Sequence, residues 1–277
     1  MVEHEVFGIR FLTYEMFDRH LNVTNVVTTR HRGRSEAPFG SLNLALHVGD
    51  DPDTVLENRA IVSQLIGFEP ETFTVAEQVH SSHVAVVGTG DRGKGAIIET
   101  DAIPLADAMI TRAPDVPLTV LIADCVALSF FDPERNAIGI AHAGWAGTLH
   151  RIAEKTVGKM AAEFDTDPSN VEVAMSPSIG PCHYEVGEDV AHAFEVEFGD
   201  DAGNFIKEYN EGNLRLDLWH ANKSQLIRAG VHEKNIEVAG LCTACQTDVF
   251  YSHRAEKGGT GRFAGIMMLH FSGSRHY

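Results

Sequence analysis

Apolar positions along this chain follow two periods. A period of two marks residues 1–29, where Val6, Ile9 and Phe11, then Val23, Val26 and Val27, alternate with polar residues and predict strands at the start of a sheet. Predominantly apolar runs of strand length follow at 118–123, 127–131 and 137–141, bounded by Asp124-Cys125, Asp132-Pro133 and His142. Further runs at 84–87, 106–111, 171–175, 236–241, 250–254 and 263–269 predict more strands, and the alternation of Phe73, Val75 and Val79 puts His80 near a strand end. A helical period marks 51–67, with Asp51 or Asp53 at its start, Val55, Leu56, Val62, Leu65 and Ile66 on one face, and Gly67 as terminator. Three more helices are predicted: 149–164 behind the small-residue turn 143–148, then 186–198, then 217–230, capped by Asp217 and stopped by Gly230. Strands and helices mix without strict βαβ alternation. The expected fold is α+β (mixed α/β), a single domain over residues 1–277 with mixed sheets flanked by helices.

Between these elements lie segments of a different kind. Residues 28–50 carry Arg30, Arg32 and Arg34 with Gly33, Pro38 and Gly40, and read either as a solvated surface loop or as an ordered ligand loop. The glycine-rich patch 88–95 reads as a mobile hairpin tip; it lacks the spacing of a phosphate loop, and no helix follows it. A net charge of −17 argues against general nucleic-acid binding but leaves room for a small anion in a local basic pocket. No apolar run is long enough to span a membrane, and the first residues lack the pattern of a signal peptide. Four cysteines in 277 residues do not make a disulfide framework, so a reducing cytoplasm is the expected location.

The candidate chemistry sits in and around residues 118–148. His80, Cys125 and His142 all fall at predicted strand ends, and a catalytic zinc takes three protein ligands, His₂Cys among them. The same atoms permit a second arrangement, with Cys125 as a thiolate nucleophile, His142 as its base and the turn 144–148 offering N–H groups to an oxyanion. The two exclude each other in detail, because a zinc-bound thiolate is a poor free nucleophile. Asp124 is either a supporting carboxylate or base, or a structural turn residue. Cys242 and Cys245 form one CxxC pair, short of the four ligands of a structural zinc site, and with Cys182 are expected to be packing thiols. No HxH pair occurs, which argues against a multicopper cluster.

The motifs EQVHSSHV, DAMIT, IADCVALSFF, AHAGWAGT, SPSIGPCHYEVG, CTACQTDVFYSHR and GRFAGIMML stand in the order and spacing of the YfiH/YlmD-like family, also called the polyphenol oxidase or laccase-domain family. The block 28–59 resembles that family too, so the likeness covers nearly the whole chain. The resemblance implies a fold related to a Cys–His toxin deamidase and a zinc, rather than copper, held by His80, Cys125 and His142. It implies purine nucleosides and phosphate as partners: phosphorolysis of adenosine, inosine and methylthioadenosine, together with deamination of adenosine by a water acidified at the metal. Asn43 and Arg59 are the candidate substrate-binding residues, with Arg59 on the more polar side of its helix. Four positions depart from the family pattern: Ser81 in place of Gly, Ala127 of Pro, Ala146 of the Arg in GWRGT, and His183 of a second Cys. The alternatives to a zinc nucleoside enzyme are a metal-free Cys–His hydrolase or amidase and a non-enzymatic accessory binding protein. The oligomeric state is not readable from the chain.

Overall fold

The structure is a computed structural model that describes residues 1–209 and 212–270; the expected domain 1–277 extends past these at its C-terminus. In chain order the strands are β1 (Val2–Val6), β2 (Ile9–Thr13), β3 (Val23–Thr28), β4 (Thr74–Val75), β5 (Val84–Val86), β6 (Ala108–Thr111), β7 (Leu118–Ile122) and β8 (Val126–Asp132). They continue with β9 (Ala137–Ala143), β10 (Glu172–Met175), β11 (Glu185–Val186), β12 (Ile206–Tyr209), β13 (Asn213–Leu216), β14 (Ile236–Val238) and β15 (Phe263–Leu269). The helices are α1 (Glu15–Asp18), α2 (Pro52–Ile66), α3 (Trp145–Leu149), α4 (Ile152–Phe164), α5 (Glu188–Phe198), α6 (Ala202–Phe205) and α7 (Leu218–Arg228). None of the described helices is long and apolar enough to cross a membrane.

Two six-stranded mixed sheets, ordered β1-β2-β3-β15-β7-β4 and β14-β10-β8-β9-β6-β5, pack face to face; a small antiparallel sheet β11-β13-β12 lies apart. Alternation along the central strands shows the layering. In β7 and β15, Val120, Ile122, Phe263 and Met267 join Ile138, Ile140 and Phe131 of the second sheet between the layers, while Leu121, Ala264 and Ile266 turn outward to Val62, Leu65 and Ile66 of α2. In β8 and β9, Val126, Leu128, Phe130 and Ala141 face the other way, onto Ile152, Val157 and Met160 of α4, Phe194 of α5 and Leu226 of α7. Strands β7, β8, β9 and β15 are therefore buried along their whole length, which is why they read as nearly continuous apolar runs. The sheets approach closely: a Cβ on Gly265 would lie 2.9 Å from the Cβ of Ala127.

The helix starts follow their caps. Asp51 accepts from Thr54 N at 3.1 Å to open α2, and Gly67 closes it at φ 90°. Asp217 caps α7 through His220 N at 3.0 Å. Four expectations need correction. The predicted helix 149–164 is broken after α3, because Arg151 sits in the left-handed region (φ 61°) with its guanidinium tied to Glu197 Oε1 at 2.6 Å and stacked 4.7 Å from the Phe198 ring. Segment 250–254 is not a strand: Glu256 Oε2 and Ser252 Oγ take the N–H groups of Ser252 and Ala255 into a turn. The patch 88–95 is no hairpin tip, since Lys94 O accepts from Val75 N at 2.9 Å and Asp101 fixes Gly95 N at 2.7 Å. Val186 belongs to β11, and α5 starts two residues later.

Candidate metal centre and adjoining cavity

Register brings three of the predicted residues together. In the antiparallel pair β8–β9, Val126 faces Ala143, so Cys125, one residue before β8, falls opposite Gly144, one residue after β9. In β6–β9, Ala108 faces Ala141, which sets Asp107 directly across from His142. The His142 N–H accordingly donates to Asp107 O at 2.7 Å, and His142 Nδ1 lies 2.8 Å from Asp107 Oδ1. His80 is the exception to strand-end placement. β4 is only two residues long, and His80 stands five residues past it on a loop at φ 58°. Asp107 holds that loop as well: Oδ1 accepts from His80 N at 3.0 Å, and Oδ2 from Val79 N at 3.2 Å, Ser81 N at 2.6 Å and Ser81 Oγ at 2.9 Å.

One fully buried carboxylate therefore fixes two of the three ligand residues. The ligand atoms of His80, Cys125 and His142 lie within 4.8 Å of one another and can hold a metal ion. Because Asp107 occupies His142 Nδ1, Nε2 is left for the metal, the carboxylate–histidine arrangement usual at such centres. His142 is buried, Cys125 half-buried and His80 exposed, so the group is open on one side, as a three-ligand site must be to admit water or substrate. Gly144 is needed for room: a Cβ there would lie 2.9 Å from Cys125 Sγ and 3.1 Å from His80 Nδ1.

The electrostatics follow from burial and pairing. Burial disfavours charge on His142, but the Cys125 sulfur and the Asp107 carboxylate outweigh it and push its pKa up to about 9. Burial and the neighbouring charge of His142 lower the pKa of His80. For Asp107, burial pushes upward, yet the hydrogen bond and charge of His142 and the donors of Ser81 hold the carboxyl below its ordinary value.

The remaining predicted residues serve the frame. Both oxygens of Asp124 are taken, by Thr243 Oγ1 and by Arg254 N, each at 2.6 Å, and its φ of 84° turns the chain from β7 into β8 just before Cys125. Asn43 is fully buried; it donates to Asp50 Oδ2 at 2.9 Å and accepts from Arg262 N at 2.9 Å. Arg59 is buried rather than solvated. It donates to Leu44 O through Nε (3.0 Å) and Nη2 (2.8 Å), and to Gly95 O and Ala96 O through Nη1 (2.6 Å each), leaving one N–H of its five. It nonetheless lines a cavity of about 270 Å³ shared with His47, Gln78, Val79 and Glu99, which reaches the loop that carries His80. In the loop 28–50, Arg30 is committed to Gly40 O, Thr247 O and Glu256 Oε1 at 2.6–3.0 Å.

Sequence reasoning missed Asp107 and Arg262. Asp107 opens the DAMIT motif, and an Asp leading a buried strand was the available signal. Arg262 is the second residue of the motif GRFAGIMML and immediately precedes β15; its Nη1 donates to Thr260 O at 2.9 Å and to Gly261 O at 3.0 Å, and burial lowers its pKa although Cys125 and Asp124 act in the other direction. The cysteines also depart from expectation: Cys242 is buried, but Cys182 and Cys245 are exposed and are not core thiols.

The sequence profile described as Multi-copper polyphenol oxidoreductase laccase matches residues 24–270. Purine nucleoside phosphorylase YlmD of Geobacillus stearothermophilus is 39% identical over 249 residues, spanning 90% of this chain and 89% of that protein. A purine nucleoside phosphorylase of Deinococcus radiodurans is 37% identical over 250 residues, 90% of each chain. The crystal structure of YlmD from Geobacillus stearothermophilus superposes with a TM-score of 0.91 at 35% identity, covering 96% of this chain and 98% of that one. Bacillus licheniformis YfiH gives 0.90 at 34% identity, covering 94% and 96%. In sequence and in fold, this chain belongs to the laccase-domain family of YfiH and YlmD.

Proposed function

We propose that this protein is a zinc-dependent purine nucleoside phosphorylase, converting adenosine, inosine or methylthioadenosine to the free base and the pentose 1-phosphate, with hydrolytic deamination of adenosine as a second activity. The observation that carries it is the His80–Cys125–His142 group, buttressed by Asp107 and set beside a cavity, in a chain similar over nearly its whole length to proteins named purine nucleoside phosphorylase. Two imidazoles and a thiolate suit zinc. When bound, zinc supplies a Lewis acid and a means of acidifying water, which is what attack at purine C6 requires.

In phosphorolysis a phosphate oxygen bonds to the anomeric carbon, the glycosidic C–N bond breaks, and the purine leaves with the electron pair and takes up a proton. The chain's task is to hold phosphate and nucleoside in line. Arg262, a half-buried cation whose Nη1 is held by Thr260 O and Gly261 O, orients the phosphate, in place of the arginine that the chain lacks at Ala146. Asp124 positions Cys125, Arg59 lines the wall next to the base or sugar, and Asn43, buried behind it, holds the Arg262 backbone. Partners are small anions and nucleosides rather than nucleic acid, in keeping with the net charge of −17.

Chromatography of adenosine, and separately of inosine, incubated with pure protein with and without phosphate separates the activities. Adenine only with phosphate establishes phosphorolysis, and inosine without phosphate establishes deamination. Unchanged adenosine and inosine under both conditions would reject the assignment. The Cys125–His142–Asp107 alignment also favours a second reading, a metal-free Cys–His hydrolase. It predicts rapid, pH-dependent alkylation of Cys125 and activity indifferent to chelators.

A further inference from the structure

A second cluster of ligand side chains lies away from the centre described above. β10 and β14 are parallel neighbours, with Val173 facing Ile236, so the chain leaves both strands at the same edge of the sheet. The two exits stay paired: Ser178 N donates to Leu241 O at 3.1 Å, and Thr243 N to Ser178 O at 3.0 Å. That pairing carries Cys182 and His183 up to Cys242 and Cys245.

The four side chains converge on one point. The sulfurs of Cys182 and Cys245 are 3.7 Å apart, and His183 Nδ1 lies 3.3 Å from Cys182 Sγ, 3.3 Å from Cys245 Sγ and 3.7 Å from Cys242 Sγ. All four ligand atoms fall within 4.8 Å of one another. A tetrahedral zinc, with bonds of about 2.3 Å to sulfur and about 2.0–2.1 Å to nitrogen, sets its ligands about 3.8 Å apart for a sulfur pair and about 3.6 Å for sulfur and nitrogen. The four spacings above, 3.3–3.7 Å, lie within about 0.3 Å of the edges of such a tetrahedron, and the other two sulfur pairs stay within 4.8 Å. Gly180 N–H also donates to Cys242 Sγ at 3.2 Å, the kind of outer bond that spreads charge from a metal thiolate. A single CxxC lacks two ligands, and the register of β10 with β14 supplies them.

We propose that Cys182, His183, Cys242 and Cys245 form a structural zinc site, separate from His80, Cys125 and His142. Four protein ligands close the coordination shell, so this site binds no substrate. It clamps the loop after β10 to the loop after β14. The second of these provides Thr243 Oγ1 and Arg254 N, which hold the Asp124 carboxylate next to Cys125. The zinc thereby fixes one wall of the candidate centre at a distance from the chemistry.

Metal content measured by mass spectrometry on protein purified under reducing conditions tests this independently of nucleoside turnover. A His80→Ala/Cys125→Ser variant is expected to retain one zinc per chain and, when loaded with cobalt instead, to show intense thiolate-to-cobalt absorption. Adding Cys182→Ser and Cys245→Ser, both exposed positions that tolerate serine, should remove that equivalent. In the His80→Ala/Cys125→Ser background His183→Ala should lose it and His183→Cys should keep it. A metal-free His80→Ala/Cys125→Ser protein with native circular dichroism would overturn the proposal. So would an intact mass lower by two hydrogens that marks a Cys182–Cys245 disulfide.

Discussion

Asp107→Asn is the most informative single change. The carboxylate is fully buried and accepts from five donors, three of them backbone N–H groups of Val79, His80 and Ser81. An amide keeps the shape but turns one oxygen into a donor. If that atom replaces Oδ1, it faces His80 N–H and His142; if it replaces Oδ2, it faces Val79 N–H and both Ser81 donors. His142 could accept from the amide only by moving its proton to Nε2, the nitrogen a metal needs. Breaking a buried charge-assisted network typically costs about 3–5 kcal/mol, and at about 2–4 °C per kcal/mol for a chain of this size the melting point should fall by about 6–20 °C. The loss of the partner that orients His142 should weaken metal binding about 10–100-fold. Calorimetry in chelator gives the first number, and competition with a chromogenic chelator gives the second. An Asp107→Asn protein that melts within about 2 °C of the parent and binds zinc equally well would refute the role assigned to this carboxylate.

Three other changes probe the same frame. Because burial is outweighed and the pKa of His142 stands at about 9 in the metal-free protein, binding must displace its proton near neutrality; zinc affinity should rise at least about tenfold per pH unit until about pH 9, and a flat profile would contradict this. By the same linkage, the pairing of His142 stabilises the metal-free fold fully below its ordinary pKa of 6.5, and that contribution is lost as pH rises through about 9, as chemical denaturation across this range should show. Gly144→Ala forces a methyl into the 2.9 Å gap beside Cys125 Sγ and should lower metal content while costing only about 1–3 kcal/mol of stability, read from paired metal analysis and denaturation. Arg59→Ala leaves the carbonyls of Leu44, Gly95 and Ala96 without their donor and should destabilise by about 2–4 kcal/mol in urea unfolding; an unchanged midpoint would mean that water replaces the guanidinium without loss.

Local physics was legible in the sequence. The runs that form β7, β8, β9 and β15 are predominantly apolar because both faces are covered, and α2 and α7 start at the aspartates that cap them. Cys125 and His142 were recognisable because each ends an apolar run. What the sequence could not provide was register. Asp107 acquires its role only because Ala108 faces Ala141, and Cys182 meets Cys245 only because β10 runs parallel to β14. Arg59 looked solvated since periodicity counts charge as polar, whereas three backbone carbonyl groups make a buried niche for it. Segment 250–254 looked like a strand because its aromatic residues are buried, but Ser252 and Glu256 recruit its backbone into a turn.

Phosphorus NMR of zinc-replete protein with inosine and inorganic phosphate addresses the proposed chemistry most directly. Phosphorolysis predicts a growing ribose 1-phosphate resonance, matched one for one by hypoxanthine and abolished in His142→Ala. Hypoxanthine formed equally without phosphate, or no new phosphorus signal from inosine, adenosine or methylthioadenosine, would contradict it.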